Sequence, residues 1–267
     1  MPDLKTLRAA AIATRNVLLG GNLMALPLVL RPTRLIQYAS ENLFQYRAME
    51  RRRPLPERQV LEFLGATEPV DVRLGPAADA WCWSAPVFLV DLVSLCILCR
   101  HAEPAVVFEI GTFLGHTALH LALNSPDHAQ VYTLDLPKGA PRGTRLQTTL
   151  LDDAHIRGAL GAHRYAFTGS PVERKVVTLA GDSATFDFSP FRGRVDLFFI
   201  DGSHSYEYVR NDTLRALECC HPGSLVAWHD FGRMGVNGVS RWLRELAAEG
   251  RDIFVTPGGS LAYMRVA

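Results

Sequence analysis

The stretch Phe108–Gly115 reads FEIGTFLG and joins two different hydrophobic patterns. The residues that lead into it, 105–108, form a short apolar run typical of a buried strand, whereas residues 116–123, HTALHLAL, have a helical period. Gly111 and Gly115 therefore belong to a turn between a strand and a helix, where glycine lets the backbone approach a ligand closely. A unit of this kind indicates an α/β protein.

The alternation of strand and helix patterns continues along the chain from about residue 84. We predict seven strands, at 105–110, 130–135, 175–180, 195–200, 224–229, 251–256 and 260–266. We predict helices at 86–100, 115–124, 145–160, 206–220 and 237–249. Only Pro257-Gly258-Gly259 joins the last two strands, which is too short for a crossover helix, so these two strands should form an antiparallel hairpin.

Composition narrows the class of function. The 267 residues contain 28 lysines and arginines against 27 acidic residues, so the chain lacks the basic field that holds nucleic acid. Small-molecule chemistry is the expectation. Five cysteines, an odd number, do not form a disulfide framework and favour a reducing, cytoplasmic compartment. Cys96 and Cys99 lie three apart in an apolar helical run, which favours buried packing over redox or metal chemistry.

The amino-terminal part has a different pattern. Residues 17–30, VLLGGNLMALPLVL, are apolar but contain two glycines, an asparagine and a proline, and they fall short of the roughly 20 residues that span a bilayer. We predict a helical extension or lid over residues 1–60 and a catalytic domain over 61–267. The extension would contact another copy of the chain in a homo-oligomer, or a membrane surface.

A polar residue stands at the end of each of the first five predicted strands. These residues are Glu109, Asp135, Asp182, Asp201 and the pair His229-Asp230. Ligands of open α/β sheets bind beyond the carboxyl ends of the strands, so the series predicts a ligand site there. Asp135, after the second strand, is placed to accept hydrogen bonds from ribose hydroxyls. The spacing E-x-G-x-x-x-G lacks the third glycine of a pyrophosphate-binding turn, which favours a nucleoside over NAD.

The motifs FEIGTFLGHT, VYTLD, LAGDS, DLFFIDGSHSYEYVRND and PGSLVAWHDF occur in this order. Together they resemble class I S-adenosylmethionine-dependent methyltransferases, in particular small-molecule O-methyltransferases with a DGxH…HD signature. The resemblance covers about residues 84–267. It implies a Rossmann-like, seven-stranded, mostly parallel sheet of order 3-2-1-4-5-7-6 with an antiparallel last strand, and a hydroxylated small molecule, such as a sugar or natural product, as methyl acceptor.

The resemblance also implies roles for individual residues in binding S-adenosylmethionine. The loop around its methionine part and ribose would contain Glu109, Gly111, Thr112 and Gly115, with Asp201 nearby. Asp135 would hold the ribose hydroxyls. Asp182 and the amide of Ser183 would face the adenine.

Asp201 and the pair His229-Asp230 end neighbouring strands, and two carboxylates with one imidazole are able to hold a divalent cation. The resemblance implies a metal at these positions, although metal-dependent relatives carry an oxygen ligand where this chain has His229. Oxygen ligands suit Mg²⁺, whereas imidazole also suits Mn²⁺ and other transition metals, so the choice between magnesium and manganese stays open. Adjacent residues of a strand point to opposite faces, so both can bind one ion only if the strand has already ended.

An acceptor hydroxyl must lose its proton during methyl transfer. His204, in DGSH, is the predicted general base, with His229 as the alternative if no metal binds. Two other functions stay open at this point. One is a nicotinamide-dependent oxidoreductase on a similar sheet, and the other is a noncatalytic nucleoside-binding or membrane-surface protein.

Overall fold

A seven-stranded sheet organises the part of the chain that the computed structural model describes, which is residue 36 and residues 55–75, 89–137, 143–149, 152–153, 156, 164–233 and 236–267. All of these except residue 36 belong to one unit, Met49–Ala267. The strands are β1 (Val106–Ile110), β2 (Gln130–Asp135), β3 (Val176–Ala180), β4 (Val195–Ile200), β5 (Cys220–Trp228), β6 (Phe254–Val255) and β7 (Ala262–Arg265). The helices are α1 (Val60–Leu64), α2 (Leu89–Ala102), α3 (His116–Asn124), α4 (Tyr206–Cys219) and α5 (Asn237–Ala248).

The strand order is β3-β2-β1-β4-β5-β7-β6, as predicted. Strands β1 to β5 pair in parallel, and β7 runs antiparallel to both β5 and β6. Helix α3 joins β1 to β2, helix α4 joins β4 to β5, and the reversed strand follows the short turn 257–259. The predicted fold class is therefore confirmed.

Two hydrophobic layers cover the two faces of the sheet. Val107, Leu197 and Phe199 pack with α2 and α3 on one face, whereas Phe108, Phe198 and Trp228 pack with α4 and α5 on the other. Because both faces are buried, the central strands are apolar along nearly their whole length, and their polar residues are concentrated at the carboxyl ends.

Element boundaries differ from the predictions by more than two residues in three places within the described part of the chain. Strand β5 begins at Cys220 rather than 224, because Cys220 pairs with Val195 across an irregularity in register. Strand β6 contains two residues rather than six, because the Ile253 amide turns back to the Arg251 carbonyl. Residues 145–149 are not helical, so the predicted helix start at 145 is wrong; the Thr149 hydroxyl accepts the Asp152 amide at 3.1 Å, as at a helix start.

Cys96 and Cys99 are buried in α2, and the Cys99 thiol donates to the Leu121 carbonyl at 3.5 Å. Burial raises the pKa of Cys96 to about 12, which keeps it as a thiol at neutral pH. The packing interpretation of this pair agrees with the structure.

Most of the predicted amino-terminal extension lies outside the described residues, and so do the predicted helix positions 86–88. Within the described part, Leu55 and Val60 belong to the hydrophobic core, and Glu57 forms a parallel bridge to Val255 beyond the edge strand β6. The domain boundary at residue 60 stays a prediction. Among the helices that the structure describes, none has the length and apolar character needed to cross a membrane.

Candidate active site

The glycine loop lies directly against the end of β4. Gly111 has a φ of 106°, and a Cβ added to it would lie 2.0 Å from the main-chain oxygen of Asp201. The Asp201 amide in turn donates to the Ile110 carbonyl at 2.9 Å. Any side chain at position 111 would therefore separate the loop from Asp201, so this glycine keeps the loop beside the acidic end of β4.

The other half of the loop is fixed by Asp135 at the end of β2. Its carboxylate accepts the amides of Phe113 and Leu136, both at 2.7 Å. Gly115 has a φ of 75°, and an added Cβ would lie 2.7 Å from the ring of Phe167. Asp135 thus orders the glycine loop in addition to its predicted contact with ribose.

Glu109 is fully buried beneath the loop. It accepts a hydrogen bond from the Thr133 hydroxyl, which lies 2.7 Å from that of Thr112. Burial, and then the charges of Asp201 and Asp135, raise the pKa of Glu109 well above its usual range. Its Oε1 atom is buried without a hydrogen-bond partner, so it is able to take a polar group from a bound ligand.

Asp182, predicted to face adenine, already holds several donors. Its carboxylate accepts the hydroxyl of Tyr208 at 2.8 and 2.9 Å and the amides of Arg145 and Ala184 at 2.7 and 2.9 Å. Ser183 is buried beside it. Asp182 therefore joins the loop after β2 to helix α4, and an adenine contact by Asp182 and Ser183 stays a prediction.

Asp201, His229 and Asp230 come together beyond the ends of β4 and β5. His229 Nδ1 lies 3.2 Å from Asp201 Oδ1 and 3.3 Å from Asp230 Oδ1, without hydrogen-bond geometry. Asp230 follows the end of β5 with a φ of 63°, a left-handed conformation that turns its side chain toward that of His229. The requirement that the strand end before this pair is thus met.

Each of the two histidines near this cluster also lies beside a carboxylate from outside the cluster: Asp91 for His229, and Asp152 for His204. Asp91 Oδ2, on α2, lies 3.4 Å from His229 Nε2. Burial would lower the pKa of His229, but the charges of Asp201 and Asp230 raise it well above its usual value. His204 places Nδ1 2.6 Å from Asp152 Oδ1 and Nε2 2.8 Å from Asp230 Oδ2.

His204 is consequently an imidazolium between two carboxylates. Burial alone would lower the pKa of His204, whereas the charges and hydrogen bonds of Asp152 and Asp230 raise it well above its usual value. Asp152 has a pKa of about 2, because the favourable charge of His204 outweighs the cost of burial. Ser203 also donates to Asp152 at 2.7 Å. With a proton on each nitrogen, His204 has no lone pair for a substrate proton in this arrangement.

The cluster fits a divalent cation. One ligand atom from each of Asp201, His229 and Asp230 lies within 4.8 Å of the others. Neighbouring ligands of an ion bound at about 2.0–2.2 Å stand about 3.0–3.5 Å apart, which agrees with the two distances from His229 Nδ1. Arg233 Nη1 lies 2.7 Å from Asp230 Oδ1, so an ion would share or displace this contact.

Residues 108–231 match the sequence profile of a family described as a methyltransferase domain. The chain carries a methyltransferase domain. The match begins in β1 and ends one residue after Asp230, so the methyltransferase domain contains every predicted cofactor and metal residue. The resemblance to class I methyltransferases is confirmed. No curated protein matches the chain.

Solved structures share the fold of the methyltransferase domain. Cofactor-bound Rv0187 from MTB is 20% identical, with a TM-score of 0.50 over 80% of this chain and 99% of that one. The O-methyltransferase TomG from Streptomyces achromogenes, involved in tomaymycin synthesis and solved with SAM, is 18% identical, with a TM-score of 0.48 over 78% and 95%. An O-methyltransferase from Bacillus cereus in complex with SAH is 18% identical, with a TM-score of 0.44 over 86% and 96%. At these identities the likeness concerns the fold.

Sequence reasoning missed three residues around the site, namely Asp91, Asp152 and Tyr208. Asp91 had one signal, an isolated acid within the apolar run LVDLVSLCILC, since a buried carboxylate needs partners. The spacing of Thr149 and Asp152 indicates a helix start but does not indicate the contact with His204. Tyr208 follows the DGSH motif on α4 and had no signal of its own.

Proposed function

We propose that this methyltransferase transfers the methyl group of S-adenosylmethionine to a hydroxyl oxygen of a small molecule, and that a divalent cation takes part. The observation that carries the proposal is the contact between the glycine loop and the end of β4, where an added Cβ on Gly111 would lie 2.0 Å from the Asp201 oxygen. A methyl donor seated on the loop would therefore lie beside the cluster of Asp201, His229 and Asp230.

The chain's own residues bind and orient the reactants. The loop ordered by Asp135 would receive the methionine and ribose parts of the donor, and the buried Oε1 of Glu109 would accept a hydrogen bond from a donor group there. The sulfonium group supplies an activated methyl: a carbon–oxygen bond forms as the carbon–sulfur bond breaks, and the sulfur keeps the electron pair. Since the leaving group becomes neutral, positioning of the reactants contributes most of the acceleration.

Asp201, His229 and Asp230 would hold the cation, with magnesium and manganese as the candidates. The mixed oxygen and nitrogen donor set favours manganese over magnesium. A bound divalent cation would orient the acceptor hydroxyl and lower its pKa. The contact of Arg233 with Asp230 supplies positive charge at the same oxygen and would compete with the ion.

The role of His204 differs in this proposal from the general base that the motif suggested. Because its two nitrogens already hold protons facing Asp152 and Asp230, His204 would orient Asp230 rather than accept the substrate proton. His229, the alternative base, is 1% exposed in its side chain and faces carboxylates on both sides. The acceptor's proton would then leave to solvent or to a carboxylate of the cluster.

The test is calorimetric titration with S-adenosylhomocysteine, with NADH as the competing ligand class. We expect the full chain to bind S-adenosylhomocysteine, and Asp135→Ala to weaken this binding at least tenfold, because it removes both the ribose contact and the loop's anchor. Asp187→Ala, an exposed acid beyond β3, is the matched control and should leave the affinity unchanged. Binding of NADH without S-adenosylhomocysteine would overturn the donor assignment in favour of an oxidoreductase.

The proposal also includes a cellular compartment for the enzyme. The four cysteines that the structure describes are buried free thiols, which supports a reducing compartment such as the cytoplasm. A homo-oligomer, and a membrane-surface contact of residues 1–60, stay predictions.

A further inference from the structure

We propose that Asp91 is a positioning residue for the methyltransferase, and that it fixes the ring of His229 so that Nδ1 presents its lone pair to the cation. This inference rests on the metal part of the proposed function. It concerns a side chain on α2, outside the segment that matches the methyltransferase family.

Asp91 is held firmly and independently of His229. It is fully buried. Its Oδ1 accepts the amides of Ser260 at 2.8 Å and Leu261 at 3.0 Å, and its Oδ2 accepts the Ser260 hydroxyl at 2.8 Å. An added Cβ on Gly259 would lie 2.1 Å from Oδ1, so the turn between β6 and β7 is shaped to receive this carboxylate. The position of Oδ2 is therefore fixed before His229 is considered.

The position of Oδ2 selects one tautomer of His229. Oδ2 lies 3.4 Å from Nε2 without hydrogen-bond geometry, and the negative charge of this carboxylate favours a proton on that nitrogen. Nδ1, on the other side of the ring, faces Asp201 and Asp230 and would present its lone pair once a cation displaces its proton. Metal-bound histidines commonly donate their other N–H to a carboxylate, and this partner sets ring orientation and ligand strength.

The competing interpretation is that Asp91 only fastens α2 to the hairpin. Asp91→Asn separates the two roles, because the asparagine oxygen still accepts the amides of Ser260 and Leu261. The asparagine NH₂ replaces Oδ2 and points a donor at His229 Nε2. That nitrogen must then accept, so the ring proton moves to Nδ1 and blocks the ligand position.

The experiment measures Mn²⁺ binding to the full chain by calorimetry and by the electron paramagnetic resonance of free Mn²⁺. We expect Asp91→Asn to weaken binding by about 10–100-fold, the range for loss of such a partner. Nitrogen-15 NMR of labelled histidine, recorded with and without Mg²⁺, should show that the cation removes the proton from His229 Nδ1 in the wild type but not in the Asp91→Asn variant.

Two controls keep the test specific. Asp196→Asn alters a comparable carboxylate at the opposite end of the sheet, where Asp196 accepts the Ala105 and Val106 amides and contacts His221 Nε2 at 3.0 Å. Ser260→Ala removes a hairpin contact of Asp91 but leaves its carboxylate. Both variants should bind Mn²⁺ within about twofold of the wild type.

The outcomes are distinct. Wild-type affinity for Mn²⁺ in Asp91→Asn, or an equal loss in Asp196→Asn, would overturn the proposal. If Asp91→Asn does not fold, a large loss of Mn²⁺ affinity in folded Ser260→Ala would assign Asp91 to fastening alone, and retained affinity would support positioning. A wild type that binds S-adenosylhomocysteine but not Mn²⁺ would overturn this inference and the metal while leaving the methyl donor in place.

Discussion

Asp212 is a carboxyl group buried where no cation faces it among the contacts that the structure describes. It is fully buried on α4, and its Oδ1 accepts a hydrogen bond from the side-chain NH₂ of Asn211 at 2.9 Å. Burial, with a smaller contribution from the charge of Asp182, raises the pKa of Asp212 to about 7. The folded protein therefore keeps a proton on Asp212 at a pH where the unfolded chain has already lost it.

We predict that Asp212→Asn makes the protein less sensitive to rising pH. Because the folded pKa lies above the unfolded one, the wild-type free energy of unfolding falls as pH rises from about 4 to 7, and this loss is complete above 7. Between pH 5 and pH 8 the variant should gain roughly 2–3 kcal/mol relative to the wild type. Urea denaturation at the two pH values measures the change. Parallel pH curves for the two proteins would contradict it, and the exposed Asp187→Asn serves as control.

For individual residues, the sequence predicted the three members of the proposed cation site but not the side chains that contact them. Asp201, His229 and Asp230 were predictable because the ends of neighbouring parallel strands meet at one edge of a sheet. The sequence analysis required only that the strand end before His229 and Asp230, and nothing in the letters HD fixes the left-handed φ of Asp230. Asp91 contacts Ser260, 169 positions away, and no local pattern reports such a contact.

At the scale of elements, helix α3 follows the glycine loop directly, and its carboxyl end contacts the buried side chain of Lys175. The ammonium group of Lys175 donates to the carbonyls of Ala122 at 2.5 Å and Ser125 at 2.9 Å, at the carboxyl end of the helix. These carbonyls have no partner within the helix itself, and a cation there also suits the helix dipole.

Lys175→Met should therefore destabilise the fold by about 1–3 kcal/mol, because it removes the ammonium donor from the Ser125 carbonyl and leaves the Ala122 carbonyl only the Ser125 hydroxyl, while keeping a similar apolar volume. The free energy of unfolding in urea is the quantity to measure. Arg174→Met, at an exposed neighbouring position, should change it by less than about 0.5 kcal/mol. Equal effects of the two substitutions would show that the lysine contacts contribute nothing particular.

Elements with a strong hydrophobic period were predictable nearly to the residue, and elements defined by long-range contacts were not. Strands β2 and β4 match the predicted bounds, because their apolar runs end at acids that begin a loop. Strand β6 was overestimated, because its length is set by pairing with β7 at the sheet edge rather than by its own residues. The start of the helix near Asp152 is set by Thr149, whose signal was overlooked.

Across the whole molecule, the contact of α2 with the β6–β7 turn joins distant parts of the chain. Gly259 lacks a left-handed φ, so its substitution acts only through the 2.1 Å approach of an added Cβ to Asp91 Oδ1. Gly258 has a φ of 71° and open space around it. The two neighbouring glycines thus separate a contact effect from a backbone effect.

A double-mutant cycle should show this coupling. Gly259→Ala is expected to destabilise the wild type but to have little effect in an Asp91→Ala background, with a coupling of about 1–3 kcal/mol. Gly258→Ala should cost about 1 kcal/mol in both backgrounds, because its strain is local. Urea denaturation of the variants gives the energies, and additive values for Gly259 would exclude the proposed contact.

The fold class was predictable because alternating strand and helix patterns, followed by a short hairpin, admit few topologies, whereas the strand order was implied by the resemblance to class I methyltransferases. What the topology did not reveal is how the hairpin serves the site. The glycine loop, β4 and β5 all precede the hairpin in the chain, whereas the donors that hold Asp91 follow them.

This order has a consequence during protein synthesis. A growing chain completes β1 to β5 while β7 is still unmade, so one side of β5 carries unpaired backbone groups at that stage. An open strand edge of this kind is able to pair with other chains, so we expect the nascent protein to be most prone to aggregation before its reversed strand emerges. Only then does Asp91, beside His229, acquire its amide partners Ser260 and Leu261, so this contact forms after strands β1 to β5 have been synthesised.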